Sequence, residues 1–185
     1  MKHYLTIEEF CTCTNTYSKY KDFINPYPQN PDSIVAIESL FTHLLNPIID
    51  HFGFENFHLT YGFSSRDLIK YLHKKDPATG LKNGRICPRV DQHAAHERDR
   101  NGNYICKHQG AACDFQIKGV SSAEVTRWII ENLEFDSLYF YGVNAAAPTV
   151  HRPIHLSYNQ NNRRAVWTFT TQNTPVKLNL NRSKF

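Results

Sequence analysis

The segment Asp91–Phe115, DQHAAHERDRNGNYICKHQGAACDF, holds three histidines, two cysteines and four acidic residues. Its first part shows neither helical nor strand periodicity and reads as irregular. From Gly110 onward, GAACDFQI reads as a buried strand. A ligand-rich loop feeding a buried strand raises the question of a metal site. Zinc is held by three or four His, Cys, Asp or Glu groups, and a catalytic site keeps one position open for water. The ligands on offer are His93, His96, His108, Asp114, His151 and His155, with Cys87, Cys106 and Cys113. HAAH over 93–96 is not the HExxH pattern, because Glu97 follows the pair. No CxxC pair exists, so a cysteine-rich structural finger is not expected. His3, His51, His58 and His73 read as surface or loop residues. His155 lies in the apolar run PIHLSY, where alternation puts it opposite Ile154 and Leu156. A strand histidine there is either a satisfied core residue or a ligand.

Before this segment the chain reads as mainly helical. Thr6 and Glu9 have capping-box spacing for a short helix. NTYSKYKDFINPYPQNP, residues 15–31, is polar, aromatic and Pro-rich, and reads as a loop. Ile34, Ile37, Leu40, Phe41, Leu44, Leu45 and Ile48 then recur at helical spacing. Asp32 or Ser33 is suited to cap that helix and Gly53 to end it, while Pro47 should kink it or begin a final turn. FHLTYGF alternates like a strand, and SSRDLIKYLHKK reads as a helix capped by Ser64 or Ser65. After the segment, SSAEVTRWIIENL is a helix with a capping-box pattern at Ser121 and Glu124. SLYFYG, PIHLSY and RAVWTFT are strands. Helices first and an antiparallel-looking strand set later imply a single α+β domain over residues 1–185. A polar tail over about 172–185 should fray.

Bulk properties narrow the function classes. The chain has 185 residues, 41% hydrophobic and 21% charged, which is ordinary globular composition and enough for a core. The net charge of +4 comes without a basic run longer than the pairs Lys74 and Lys75 or Arg163 and Arg164. Direct nucleic-acid binding is therefore not expected, while an anionic polymer such as a cell wall is compatible with the charge. The first residues lack the apolar run of a signal peptide, and no apolar stretch is of spanning length. A cytoplasmic site of synthesis and no membrane partner are expected. Five cysteines without a secretion signal argue against a disulfide framework.

Several pieces together resemble the zinc D-Ala-D-Ala carboxypeptidase family, which includes phage cell-wall peptidases and shares a fold with the hedgehog signalling domain. They are TIEEF (6–10), NPYPQNP (25–31), LFTHLLNPIIDHFG (40–53), LTYGFSSRDL (59–68), DQH (91–93) with GAACDF (110–115), and RPIHLSY (152–158). Their order matches the family over about residues 6–160. The resemblance implies a DD-peptidase-like α+β fold, an antiparallel sheet with flanking helices around a zinc site. It implies Asp114 and His155 as two ligands. For the first ligand it leaves His93, followed by an inserted loop, or His108, one residue too near Asp114. His93 is favoured, because loops lengthen at small cost whereas a one-residue shift in a hairpin changes the face a side chain occupies. His96 or His108 could then be an extra or supporting group. Cys87 and Cys106 could sit together, as reduced thiols, at the base of the inserted loop.

The chain departs from the family at two positions. The family has a carboxylate shortly before the last histidine ligand, as general base. Here Arg152 precedes His155 by three and NAAAPTVHRP holds no acid, which leaves His151 or Glu97 as the base. The family's arginine for the substrate carboxylate is replaced by Ser64, leaving Arg66 or Arg152 for that charge. The expected function is zinc-dependent cleavage of a peptide or amide bond in peptidoglycan, in the manner of a phage endolysin released to the cell wall by a partner protein. The competing expectations are a zinc hydrolase with a different cytoplasmic substrate and a non-catalytic zinc-stabilised binding module. Oligomeric state has no signature in the sequence.

Overall fold

A computed structural model describes residues 3–14, 17–84, 92–141, 152–169 and 174–179. Six strands form one sheet: β1 (Phe57–Tyr61), β2 (Ala111–Ile117), β3 (Ser137–Phe140), β4 (Ile154–Tyr158), β5 (Ala165–Phe169) and β6 (Pro175–Leu178). Their spatial order is β1-β2-β4-β3-β5-β6. The architecture is α+β, as expected, but the sheet is mixed: β3 and β5 run parallel while every other pair is antiparallel. The expectation of an antiparallel sheet is corrected at that pair. β4 inserts between β2 and β3, so β5 meets β3 from the other side in the same direction.

The helices are α1 (Ile7–Thr12), α2 (Tyr17–Tyr20), α3 (Pro31–Leu40), α4 (Asn46–Phe52), α5 (Arg66–His73) and α6 (Ser122–Asn132). Thr6 caps α1 in a reciprocal box with Glu9. Ser65 caps α5 and Ser121 caps α6. α3 is capped by Asn30, with Pro31 in its first turn, rather than by Asp32 or Ser33. Proline fits there because its missing N–H would have no intrahelical partner. Pro47 does not bend a regular helix. Phe41–Leu45 widens into a π-helical turn, with the Asn46 N–H donating to the Phe41 carbonyl, and Pro47 stands in the first turn of α4, so of the two expectations the start of a final turn holds. Gly53, at φ +89°, ends α4.

Two expectations of irregular chain are also corrected. α2 lies inside the segment read as a loop, because Tyr20 buries against Tyr17 and Tyr71. Residues 175–178, placed in the polar tail, pair with β5 as an edge strand. Its proline is the first strand residue, where no ladder donor is needed.

The core lies on one face of the sheet. Ile37, Leu40, Phe41, Leu44 and Ile48 of the long helical segment, with Val125 and Ile129 of α6, pack on Cys113, Phe115, Leu138, Leu156 and Val166. Each such aliphatic or aromatic side chain contributes about 1.5–3 kcal/mol on burial. Alternation then sends Asp114, Tyr139, His155 and Trp167 to the other face, where each is only partly buried. That face carries the site.

Candidate metal centre

Asp114 and His155 are direct cross-strand partners on β2 and β4, so their side chains project together. His93 reaches them from a short 3-10 turn, Gln92–Ala94, that precedes the sheet strand in sequence. The turn is fixed at several points. The Ser64 N–H donates to the His93 carbonyl at 2.9 Å, and the Gln92 side-chain amide donates to the Gln109 carbonyl at 2.7 Å. Ala95, with φ +44°, turns the chain away immediately afterwards.

The decisive contact is on the far side of the His93 ring. Nδ1 lies 2.6 Å from the Gly62 carbonyl, in a buried setting. A carbonyl can only accept, so Nδ1 carries the hydrogen. In the neutral ring Nε2 then presents a lone pair, and it faces Asp114 Oδ1 at 3.3 Å. His155 Nδ1 lies 2.9 Å from the same oxygen. The three ligand atoms all lie within 4.8 Å of one another. Without an ion, His155 Nδ1 can donate a hydrogen bond to Asp114 Oδ1; once that nitrogen gives up its hydrogen, the three atoms turn lone pairs toward one another, which a shared cation would reconcile. Ligands about 2.1 Å from a shared tetrahedral ion would stand about 3.4 Å apart, close to the two separations to Asp114. The residues therefore fit a metal ion, and two imidazoles with a carboxylate suit zinc and neighbouring divalent transition ions.

Burial opposes the charge on Asp114, but His93 and His155 outweigh it and hold this carboxyl well below the usual range. The aspartate is thus ionised across the working pH range. The His93 side chain is 1% exposed, that of His155 15% and that of Asp114 32%, so the cluster is closed behind and open in front.

The structure brings together His93, Asp114 and His155, and among the described residues His96, His108 and Glu97 do not join that group. His108 lies apart, with Nε2 3.0 Å from an Arg163 guanidinium nitrogen. His96 Nε2 accepts from the Gly110 N–H at 3.2 Å. Burial pushes the His96 pKa down, with Asp32 opposing and Arg98 adding to that shift. Glu97, 1% exposed, is turned toward α3: Oε1 accepts from the Gln29 and Asn30 N–H groups and from the Ser33 hydroxyl, at 3.0–3.1 Å. That geometry suits a structural cap and leaves Glu97 outside the ligand cluster. The Arg66 Nε is buried without a hydrogen-bond partner among the described residues. Arg152 is exposed, with its guanidinium carbon 4.9 Å from the Tyr141 ring centre. His151 and Cys87 lie outside the described residues; Cys106 is buried and forms no disulfide among the described residues.

Gly62 was not legible as part of the site. Its carbonyl locks His93, and an added Cβ would come 2.1 Å from the Phe10 carbonyl oxygen, so only glycine lets α1 approach here. Tyr61 and Tyr139, which contact the two imidazoles, were also missed. Alternation in SLYFYG marks the face Tyr139 occupies, but Tyr61 would share the core face of Leu59 by alternation and reaches the ligand face only through the register shift between Leu59 and Tyr61, which is not written in LTYGF. No protein-family model matches this chain, and no curated protein or solved structure matches it.

Proposed function

We propose that this chain is a zinc-dependent hydrolase that cleaves a peptide or amide bond in peptidoglycan, with a DD-peptidase-like fold. The observation that supports the metal part is the convergence of His93 Nε2, Asp114 Oδ1 and His155 Nδ1 with His93 locked through Gly62. The substrate class is supported by the ordered motif pieces that resemble cell-wall peptidases and by the net positive charge. His93, Asp114 and His155 would hold the ion, and bound zinc would supply Lewis acidity and make a water molecule acidic near neutral pH.

The protein's own groups would do the rest. The ionised Asp114 offsets the charge of the ion, and the two neutral imidazoles leave the net charge of the centre at about +1 by simple addition. The exposed Arg152 guanidinium is available to pair with a substrate carboxylate. Hydrolysis also needs a group that takes a proton from water and returns it to the leaving amine. Glu97 is engaged with α3, which leaves His151 as the candidate in the sequence.

A second reading has one observation in its favour. Among the described residues, no carboxylate other than Asp114 joins the metal-holding group. A zinc-stabilised binding module without hydrolytic activity would have that composition. The test is digestion of purified peptidoglycan by the zinc-loaded protein, with release of new amino groups followed beside an Asp114→Ala control. Release that depends on Asp114 is expected. Stoichiometric zinc with no release would favour the binding module.

A further inference from the structure

Two tyrosines bracket the ligand cluster along one row of the sheet. Tyr61 of β1 is registered opposite Asp114, Asp114 opposite His155, and His155 opposite Tyr139 of β3. Registered partners project to the same face, which aligns Asp114, His155 and Tyr139; Tyr61 joins them after the register shift that separates it from Leu59. Each tyrosine meets one imidazole almost at right angles. Tyr61 and His93 have ring centres 4.7 Å apart at 88°, and Tyr139 and His155 have theirs 5.4 Å apart at 79°. Edge-to-face contact is favoured by ring quadrupoles and resists rotation of either ring.

The two histidines depend on these contacts unequally. His93 is also held by its hydrogen bond to Gly62. His155 has Asp114 on Nδ1 and, among the described residues, no hydrogen-bond partner on its other ring nitrogen. Metal-bound histidines are ordinarily oriented by a hydrogen bond on that second nitrogen. Here Tyr139 stands where the ring can be held, and it is itself braced by Trp167, stacked at 5.7 Å and 5°.

We infer that Tyr61 and Tyr139 are positioning residues for the metal ligands, and that Tyr139 is the main determinant of the His155 ring orientation. Their rings keep His93 Nε2 and His155 Nδ1 aimed at Asp114 before an ion arrives. This rests on the reading that the cluster binds a metal ion.

The test is zinc affinity, measured by competition with a chromophoric chelator, together with the visible spectrum of the Co2+-loaded protein. Tyr139→Leu and Tyr139→Met should each weaken zinc binding by about tenfold or more and alter the Co2+ bands. Tyr139→Phe should keep both, and Tyr61→Leu should lose less affinity than Tyr139→Leu. Thermal melts of the metal-free variants identify any that fail to fold, and the phenylalanine and methionine variants keep the comparison decisive. Wild-type affinity and spectrum in Tyr139→Met would overturn the inference, as would Tyr139→Phe binding as weakly as Tyr139→Met. A wild-type protein that binds neither Zn2+ nor Co2+ would instead overturn the metal reading beneath it.

Discussion

At the scale of single residues, His93 shows how a side chain becomes a candidate metal ligand through its neighbours. Its reach comes from a short turn, its tautomer from the Gly62 carbonyl, and its burial from the chain that folds over it. Gly62→Ala should therefore do two kinds of damage. The new Cβ would collide with the Phe10 carbonyl oxygen, costing about 1–3 kcal/mol through overpacking, and the shifted backbone would release His93. Chemical denaturation and zinc titration of that variant should both fall, and an unchanged zinc affinity would contradict the lock. Glu97 makes the opposite case. Its carboxylate is taken up by Gln29, Asn30 and Ser33, so Glu97→Ala should destabilise the metal-free fold by about 1–3 kcal/mol through buried donors left unpaired. A Glu97→Ala protein with wild-type stability and no turnover would restore it as a catalytic base. The three candidate ligands were among those that residue type and motif order offered, with His108 as the alternative to His93. Gly62 was not, because its role is played by a backbone carbonyl that any residue possesses.

At the scale of elements, local signals were legible and pairings were not. The cap at Thr6, the cap at Ser65 and the end of α4 at Gly53 each follow from side-chain chemistry within a few residues. The parallel pairing of β3 with β5 depends on where β4 inserts, and no single strand encodes that. The same limit hid β6, whose short Pro-Val-Lys-Leu run becomes a strand only against β5. The turn between β4 and β5 is tied to the start of β3 by Asp136, which is 1% exposed and takes two hydrogen bonds from the Arg163 guanidinium. Burial alone would raise the Asp136 pKa, but Arg163 outweighs it and lowers it. Stability from this pair is then present above the unfolded aspartate pKa of about 3.9 and is lost as pH falls through the lower folded value. Urea midpoints of wild type and Asp136→Asn, compared across pH, should differ steadily at neutral pH and converge only in strong acid. A gap that already closes between pH 7 and 5 would contradict this assignment, since no titration of Asp136 falls there.

At the scale of the whole molecule, one face of the sheet packs the core and the other carries the candidate ligands Asp114 and His155. The buried row Cys113, Leu156, Leu138 and Val166 alternates with the row Asp114, His155, Tyr139 and Trp167. A one-residue slip of β4 against β2 would exchange them, so packing of the apolar row under α3 and α6 also enforces the ligand geometry. Among the described residues no helix is long and apolar enough to cross a membrane. The α+β class was legible because helical and strand periodicities occupy different parts of the chain. The candidate metal centre was legible in part because Asp114 and His155 sit on the strand face that alternation predicts. The central claim is that His93, Asp114 and His155 hold one metal ion. It is tested most directly by elemental analysis of purified wild-type, His93→Ala, His108→Ala and Asp114→Ala proteins after equilibration with zinc and removal of excess. The account predicts about one zinc per chain in the wild type and in His108→Ala, and loss of that zinc in His93→Ala and Asp114→Ala. A wild-type protein without zinc, or full occupancy in Asp114→Ala, would contradict it.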